Sequence, residues 1–366
     1  MIFRTQVLII GGGPAGATAA RVLARSGIDS ILVERDFFSV KPCGGGIPST
    51  AFRELDIPEY SIKKHVDAIS VVSPKGDKVD IKLSEGSIAI VERGDFDRAL
   101  RTEAEKSGAR LLEARFTQFE DIGRTVVARL TCPQVPRSIA IEADYVVAAD
   151  GVNSRVRTAL NIKPLSSFFT LSEKMRGEDT DACEFWLGSS HAPRSYSWVF
   201  PQKDGVSAGT AAFGRTGIEV CWDRFLKRRG LRTNGSRRGF RIPLWQGDIY
   251  NLGKILFVGD AAGQVMPFTC EGIYYSMKSG EMAALAIMDG KAGNYKRLWE
   301  KSFYKRFSLM KRLWAYFLKA DSRAEKIVQV HKRPEIQKAS MTLWLRKDLR
   351  KGSLLSYTNI FRRFLG

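Results

Sequence analysis

Apolar positions change their spacing several times along the chain, and each change marks an element. Residues 5–10 (TQVLII) form an apolar, β-branched run, the pattern of a parallel strand buried on both faces. Residues 14–26 (PAGATAARVLARS) take helix composition, Gly27 stops them, and Ser30 to Val33 is apolar and extended again. The chain therefore opens as strand, helix, strand. VDAISVVSP, KVDIKLS and SIAIVERGDF are alternating or β-branched runs with turns at Pro74–Gly76 and Glu85–Gly86, which predicts an antiparallel excursion. Phe96, Leu100 and Ala104 recur at helical spacing, so 95–107 is predicted as a helix opening on Asp95. Residues 109–122 read as a strand and turn, Pro133 and Pro136 mark a loop, and ADYVVAAD at 143–150 is another core strand. Residues 160–250 carry mixed strand signals, many turns and a basic run from Lys227 to Arg241, the pattern of a second, mostly antiparallel domain. KILFVGD (254–260) returns to the first domain and a helix follows from about Gly272 to Met288. The rest is helical in pattern, with aromatics at Tyr295, Trp299, Phe303, Phe307, Trp314 and Phe317.

The first turn carries chemistry. Gly11, Gly13 and Gly16 form G-x-G-x-x-G directly after the first strand. Such glycines permit a tight turn, close approach of a pyrophosphate and close helix packing, with the helix N-terminus facing the phosphates. Glu34, at the end of the second strand, can accept both ribose hydroxyl hydrogens of an adenosine. Strand, turn, helix, strand and a placed Glu together predict a dinucleotide site; a glycine-rich turn alone would be a weaker sign. The fold class expected is α/β with an α+β second domain. A discontinuous Rossmann-like domain with a parallel sheet takes 1–64, 92–158 and 251–290. An interleaved antiparallel domain for substrate takes 65–91 and 159–250, and a basic helical C-terminal region takes 291–366.

Two more strand ends sharpen the ligand. Gly259-Asp260 closes a buried strand before Ala261-Ala262-Gly263, and Asp150-Gly151 closes another, with Ser154 and Arg157 behind it. An Asp there can hold ribityl hydroxyls while backbone amides face a phosphate.

Composition narrows the setting. With 366 residues and 44% hydrophobic content, two closely packed domains are the natural expectation. No stretch resembles an export signal or a membrane span. Cysteines 43, 132, 183, 221 and 270 show no paired spacing, which points to a reducing, cytoplasmic setting. His65, His191 and His331 are scattered, so no metal site is expected. The net charge of +19 is concentrated at the end: from Lys291 onward there are 20 Lys and Arg against 5 Asp and Glu. An anionic membrane face or anionic substrate fits that region; nucleic acid is not expected, because no recognised module accompanies the charge.

The chain resembles the flavoprotein group that contains aromatic hydroxylases and geranylgeranyl reductases. ILFVGDAAG matches the late strand that contacts the flavin ribityl in that group, ADGVNSRVR its DG element, and RGDFDRAL its R-x-x-F-D-x-x-L segment. Two segments resemble the geranylgeranyl reductases in particular: the loop Lys41-Pro42-Cys43-Gly44-Gly45-Gly46-Ile47-Pro48, and Pro193-x-x-Tyr196-x-Trp198-x-Phe200-Pro201. Three glycines in a row are costly in backbone entropy, and a flat cofactor ring passing close to the backbone accounts for them. Tyr196, Trp198 and Phe200 alternate and share one face of a strand, suited to the wall of a prenyl tunnel or to an ordinary core stripe. The chain departs from the family pattern at Ala211 and Cys270, where glycines are usual.

The resemblance implies FAD as cofactor, held by Gly11, Gly13, Gly16, Glu34, Arg35, Cys43, Gly44, Gly45, Arg93, Asp150, Asp260, Gly263, Gly272 and Ile273. It implies reduction of isoprenoid double bonds, with Cys43, Tyr196 and Trp198 as catalytic candidates and Tyr196, Trp198 and Phe200 facing a long-chain isoprenoid that can carry phosphate. The electron donor is expected to be NADPH or a reduced ferredoxin-type carrier, and the basic region to touch a membrane surface peripherally. Whether Cys43 donates a proton, touches the substrate or is structural stays open, as does a redox or gating pairing of Cys43 with Cys270. An FAD-dependent aromatic monooxygenase, a menaquinone side-chain or quinone reductase, and a non-catalytic flavin-binding scaffold remain the rival readings.

Overall fold

The computed structural model describes residues 2–84, 86–133, 138–247, 249–345 and 347. They divide into two compact units, 1–40, 94–166 and 242–304 in one, 41–93, 167–241 and 305–366 in the other.

The first unit is built on the strand Ile2–Ile10, whose last four residues are buried. It pairs in parallel with Ser30–Glu34 on one side and Ser138–Ala148 on the other. Arg110–Glu113 extends the sheet in parallel beyond Ser30–Glu34, and Ile255–Phe257 extends it beyond Ser138–Ala148. The hairpin Arg115–Ile122 and Val126–Thr131 runs antiparallel on the start of Ser138–Ala148. Helix Pro14–Arg25 lies so close to helix Ile273–Met288 that a Cβ on Gly280 would stand 2.1 Å from the Ala15 carbonyl oxygen. The carboxyl ends of four parallel strands thus deliver Gly11, Glu34, Asp150 and Asp260 to the same end of one sheet, where open α/β sheets bind their ligands.

The second unit holds a seven-stranded sheet in the order Arg238–Pro243, Ser167–Arg176, Gly205–Phe213, Tyr196–Gln202, Cys183–Leu187, Ala68–Val72, Lys78–Lys82. Ser167–Arg176 through Cys183–Leu187 pair antiparallel, and Cys183–Leu187 pairs in parallel with Ala68–Val72. A smaller antiparallel sheet joins Gly46–Pro48, Ile88–Val91 and Ile62–Val66. Those pairings place 41–64 in this unit, whereas the sequence suggested a boundary near residue 64. Where 160–250 promised strands and turns, a helix also forms, Ile218–Arg229. Ile218, Cys221, Trp222, Phe225 and Leu226 fall on one buried stripe, glycines in the left-handed region bound both ends, and three basic residues close the last turn.

The C-terminal region is helical as expected, over Asn294–Trp299, Lys305–Phe317, Asp321–Val330 and Pro334–Leu345. It does not stand apart: from residue 305 it belongs to the second unit. Its last basic residues, Arg346 and 348–366, lie outside the described residues. Tyr295, Trp299, Phe303, Phe307 and Phe317 are all fully buried, so they serve packing and are not presented to a lipid surface. No helix among the described residues is long and apolar enough to cross a membrane.

Candidate functional site

The three glycines of the first turn do different work. Gly11 has φ +110°, and a Cβ there would stand 2.4 Å from the Ala149 carbonyl oxygen. A Cβ on Gly16 would stand 1.9 Å from the Gly11 carbonyl oxygen. Both are demanded by the fold. Gly13 is not. Its φ of −75° suits any residue, and nothing lies within 4 Å of the place a Cβ would occupy. Gly13 is also the N-cap of helix Pro14–Arg25, and no side chain caps that end. A helix N-terminus with free amides and open space at its cap fits a pyrophosphate.

Glu34 is oriented by the same turn. The Gly12 amide donates to its Oε2 at 2.7 Å, and the Arg35 amide to its Oε1 at 2.8 Å. Each carboxylate oxygen retains acceptor capacity for a ribose hydroxyl. Arg35 acts here through its backbone, and its side chain is exposed. Arg101, which the sequence reading did not single out, is buried behind the turn. It donates to the carbonyls of Gly12 at 3.1 Å and Phe37 at 2.8 Å.

At the next strand end, Asp150 Oδ2 accepts the Val156 amide at 3.0 Å, while its Oδ1 is buried with no partner among the described residues. Burial pushes this carboxyl above its ordinary value, against hydrogen bonds from Ser154 and the amides of Val156 and Arg155. A buried acceptor left open fits a hydroxyl-bearing ligand. Ser154 caps the short helix Arg155–Ala159, and Arg157 reaches the Ala261 carbonyl oxygen at 3.3 Å, tying the Asp150 turn to the Asp260 turn. Asp260 sits in the turn Gly259–Ala262, closed by Gly263 at φ +67°. Gly272 caps the helix that begins at Ile273, and a Cβ on it would stand 3.5 Å from Asp260 Oδ1. Cys270, at φ +53°, occupies the loop before that cap. These residues of the first unit fit an FAD by their donors and acceptors.

In the second unit, Tyr196, Trp198 and Phe200 do share one face, as their alternation predicts. A fourth ring joins them: Phe185, opposite Trp198 in the register, lies 5.3 Å from both Tyr196 and Phe200, centroid to centroid. The Trp198 indole lies over Gly209, where a Cβ would come within 2.1 Å of the ring, and its buried Nε1 has no partner among the described residues. The Cys43–Gly46 loop abuts the same face. Cβ atoms on Gly44 and Gly46 would meet the Phe200 ring at 2.7 and 3.1 Å, and one on Gly45, at φ +80°, would meet the Val91 carbonyl oxygen at 2.3 Å. A ring of the protein itself therefore lies on the glycine run, beside any cofactor role these residues have. Cys43 Sγ accepts the Gly45 amide at 3.3 Å, and neither Cys43 nor Cys270 forms a disulfide. Arg93 is buried at the start of helix Arg93–Lys106, as the last residue of this unit's first segment.

Behind the aromatic face, His191 is fully buried. Its Nδ1 lies 2.8 Å from Ser197 Oγ, which donates to Thr210 Oγ1 at 2.8 Å, and Thr210 in turn reaches the His191 carbonyl oxygen at 2.5 Å. Burial, with the Arg228 charge second, lowers the His191 pKa from 6.5 to about 4. The folded state therefore holds the ring neutral, and the unfolded chain takes up the proton first. This contribution is complete above pH 6.5 and is lost as pH falls towards 4, by about 3 kcal/mol. Burial shifts His331 in the same direction. Urea unfolding followed between pH 7 and 4 is expected to show the loss, and His191→Gln to flatten it. An unchanged slope in the variant would contradict a buried neutral His191.

Strand ends that gather glycines and carboxylates around an open helix N-terminus define an FAD-binding protein, and residues 4–207 match the FAD binding domain family. The fold is that of a geranylgeranyl bacteriochlorophyll reductase-like protein from Thermoplasma acidophilum, with a TM-score of 0.84 and 22% identity over 99% of each chain. The chain belongs to the geranylgeranyl reductase family. It is 31% identical to the geranylgeranyl diphosphate reductase of Rhodobacter capsulatus, over 94% of this chain and 93% of that one. It is 28% identical to digeranylgeranylglycerophospholipid reductase 1 of Methanothermobacter thermautotrophicus, over 95% of each.

Proposed function

We propose that this protein is an FAD-dependent reductase that saturates isoprenoid double bonds of a prenyl diphosphate or a prenylated lipid. The observation that carries the substrate class is the apolar face of Phe185, Tyr196, Trp198 and Phe200, in a chain whose other unit has the acceptors and open helix end that suit FAD.

Gly13 and the amides behind it hold the pyrophosphate, and Glu34 the adenosine ribose. Asp150, Asp260 and the backbone at Gly263, Gly272 and Ile273 hold the rest of the cofactor, with Arg93 and the Cys43–Gly45 segment also assigned to it. When bound and reduced, the flavin supplies hydride from N5 to one alkene carbon. The other carbon takes a proton, and Cys43 and Tyr196 are the candidate groups on the loop and the aromatic face that carry one. Trp198 and Phe200 keep the isoprenoid chain in an apolar setting. NADPH or a reduced ferredoxin-type carrier restores the flavin. Exposed Lys305, Lys311 and Arg312 on helix Lys305–Phe317 supply cations for peripheral contact with an anionic membrane.

The test is anaerobic. Reduced holoprotein mixed with geranylgeranyl diphosphate or a geranylgeranylated lipid is expected to regain oxidised-flavin absorbance with saturating kinetics. Reoxidation by menaquinone at its ring, or only by oxygen with a hydroxylated aromatic product, would contradict the proposal.

A further inference from the structure

The turn that carries Asp260 is held from outside. Gly259 has φ +58°, and a Cβ on it would stand 2.9 Å from Ser276 Oγ, so the turn adopts a conformation that only glycine enters at low cost. The Gly259 amide and carbonyl are both held by one residue. The Gln264 amide donates to the Gly259 carbonyl oxygen at 3.0 Å, and the Gly259 amide donates to Gln264 Oε1 at 2.8 Å. Ser279 Oγ accepts the same Gly259 amide at 2.8 Å. Gln264 is fully buried, and so is its partner Tyr295: Gln264 Nε2 lies 2.8 Å from the Tyr295 hydroxyl, which also lies 3.2 Å from Oε1.

A core glutamine is an odd choice for packing alone, because a leucine of similar volume would bury no polar group. Its amide has two different ends, and the Gly259 amide, which can only donate, takes the acceptor end, while the Tyr295 hydroxyl accepts from Nε2. A flipped Gln264 would set its Nε2 donor against the Gly259 amide donor. The peptide so fixed immediately precedes Asp260, and a rotation of 10–20° there would shift the carboxylate by roughly half an ångström, enough to matter in a preorganised site.

We propose that Gln264, held between the Gly259 amide and the Tyr295 hydroxyl, is a positioning residue that aims Asp260 at the cofactor. This rests on the reading that Asp260 binds FAD. Tyr295, from helix Asn294–Trp299, thereby gives the start of the C-terminal helices a part in cofactor binding as well as in packing.

A double-mutant cycle tests it. FAD affinity is measured by titrating apoprotein of the wild type, Asp260→Ala, Gln264→Leu and the double variant, and apoprotein unfolding is measured alongside. Gln264→Leu is expected to weaken FAD on the order of tenfold in the wild-type background and by less than about threefold once Asp260 is gone. Its effect on apoprotein stability should be the same in both backgrounds. An equal loss of FAD affinity in both backgrounds would overturn the positioning role. Full FAD affinity in Asp260→Ala would instead remove the reading of Asp260, and the positioning role with it. If Gln264→Leu does not fold, Tyr295→Phe carries the same cycle with a single oxygen removed, with smaller losses but the same required non-additivity.

Discussion

Replacing Gly13 with Asp is expected to leave the apoprotein folded and to abolish FAD binding. The conformation at Gly13 is open to any residue, and the space beyond its Cα is empty of protein. Asp is among the best N-cap residues, so it would satisfy amides that helix Pro14–Arg25 leaves uncapped, with a gain of a few tenths of a kcal/mol over Gly. The same carboxylate would stand where the pyrophosphate binds. Like charges about 4 Å apart at the effective dielectric of a protein surface repel by about 4 kcal/mol, on the order of a thousandfold in affinity. Gly16→Ala makes the contrast: its Cβ would sit 1.9 Å from the Gly11 carbonyl oxygen, so the apoprotein itself is expected to fail. Thermal unfolding of both apoproteins, with FAD titration of the one that folds, measures the difference. Normal FAD affinity in Gly13→Asp would place the cofactor elsewhere.

Trp198→Ala is expected to lower kcat/KM for a prenyl substrate by about 30-fold or more while FAD binding stays intact. Trp198 is 9% exposed, its indole covers Gly209, and it forms part of the aromatic face with Tyr196 at 6.5 Å between centroids. Removing a well-packed aromatic at a binding surface commonly costs about 2 kcal/mol or more. Trp198→Phe should recover much of the loss, because it restores an apolar ring. Steady-state kinetics with the flavin content measured on the same samples checks this. Loss of flavin in step with activity would show that Trp198 supports the cofactor and not the substrate.

Local pattern carried much of this structure. The apolar run before Gly11, the glycine spacing and Glu34 specify a strand–turn–helix–strand unit from neighbouring residues alone, and it forms as expected. What the spacing does not reveal is which glycine faces a ligand. Gly11 and Gly16 are required by carbonyl oxygens of the protein, one of them just past a strand more than a hundred residues away, and only Gly13 is left over for a phosphate. Arg101 and Phe185 carry no local signal for the same reason: their importance comes from contacts across the sheet and the turn, not from near neighbours. The helix Ile218–Arg229 was legible in principle, since its buried residues recur at i, i+3, i+4, i+7 and i+8, but the surrounding turn and charge signals obscured it. The glycine run after Cys43 suggests a cofactor by its composition, and the side chain packed on it is Phe200, a residue far away in sequence.

The most direct measurement of the central claim is mass spectrometry of products from reduced holoprotein in deuterated water. Geranylgeranyl diphosphate, a geranylgeranylated lipid and menaquinone are each incubated anaerobically with the reduced protein. The account predicts loss of one double bond per flavin reoxidised, with two hydrogens added across the former alkene and at least one of them exchanged for deuterium from solvent. Flavin that stays reduced beside every prenyl compound, or product whose isoprenoid chain keeps all its double bonds, would contradict it.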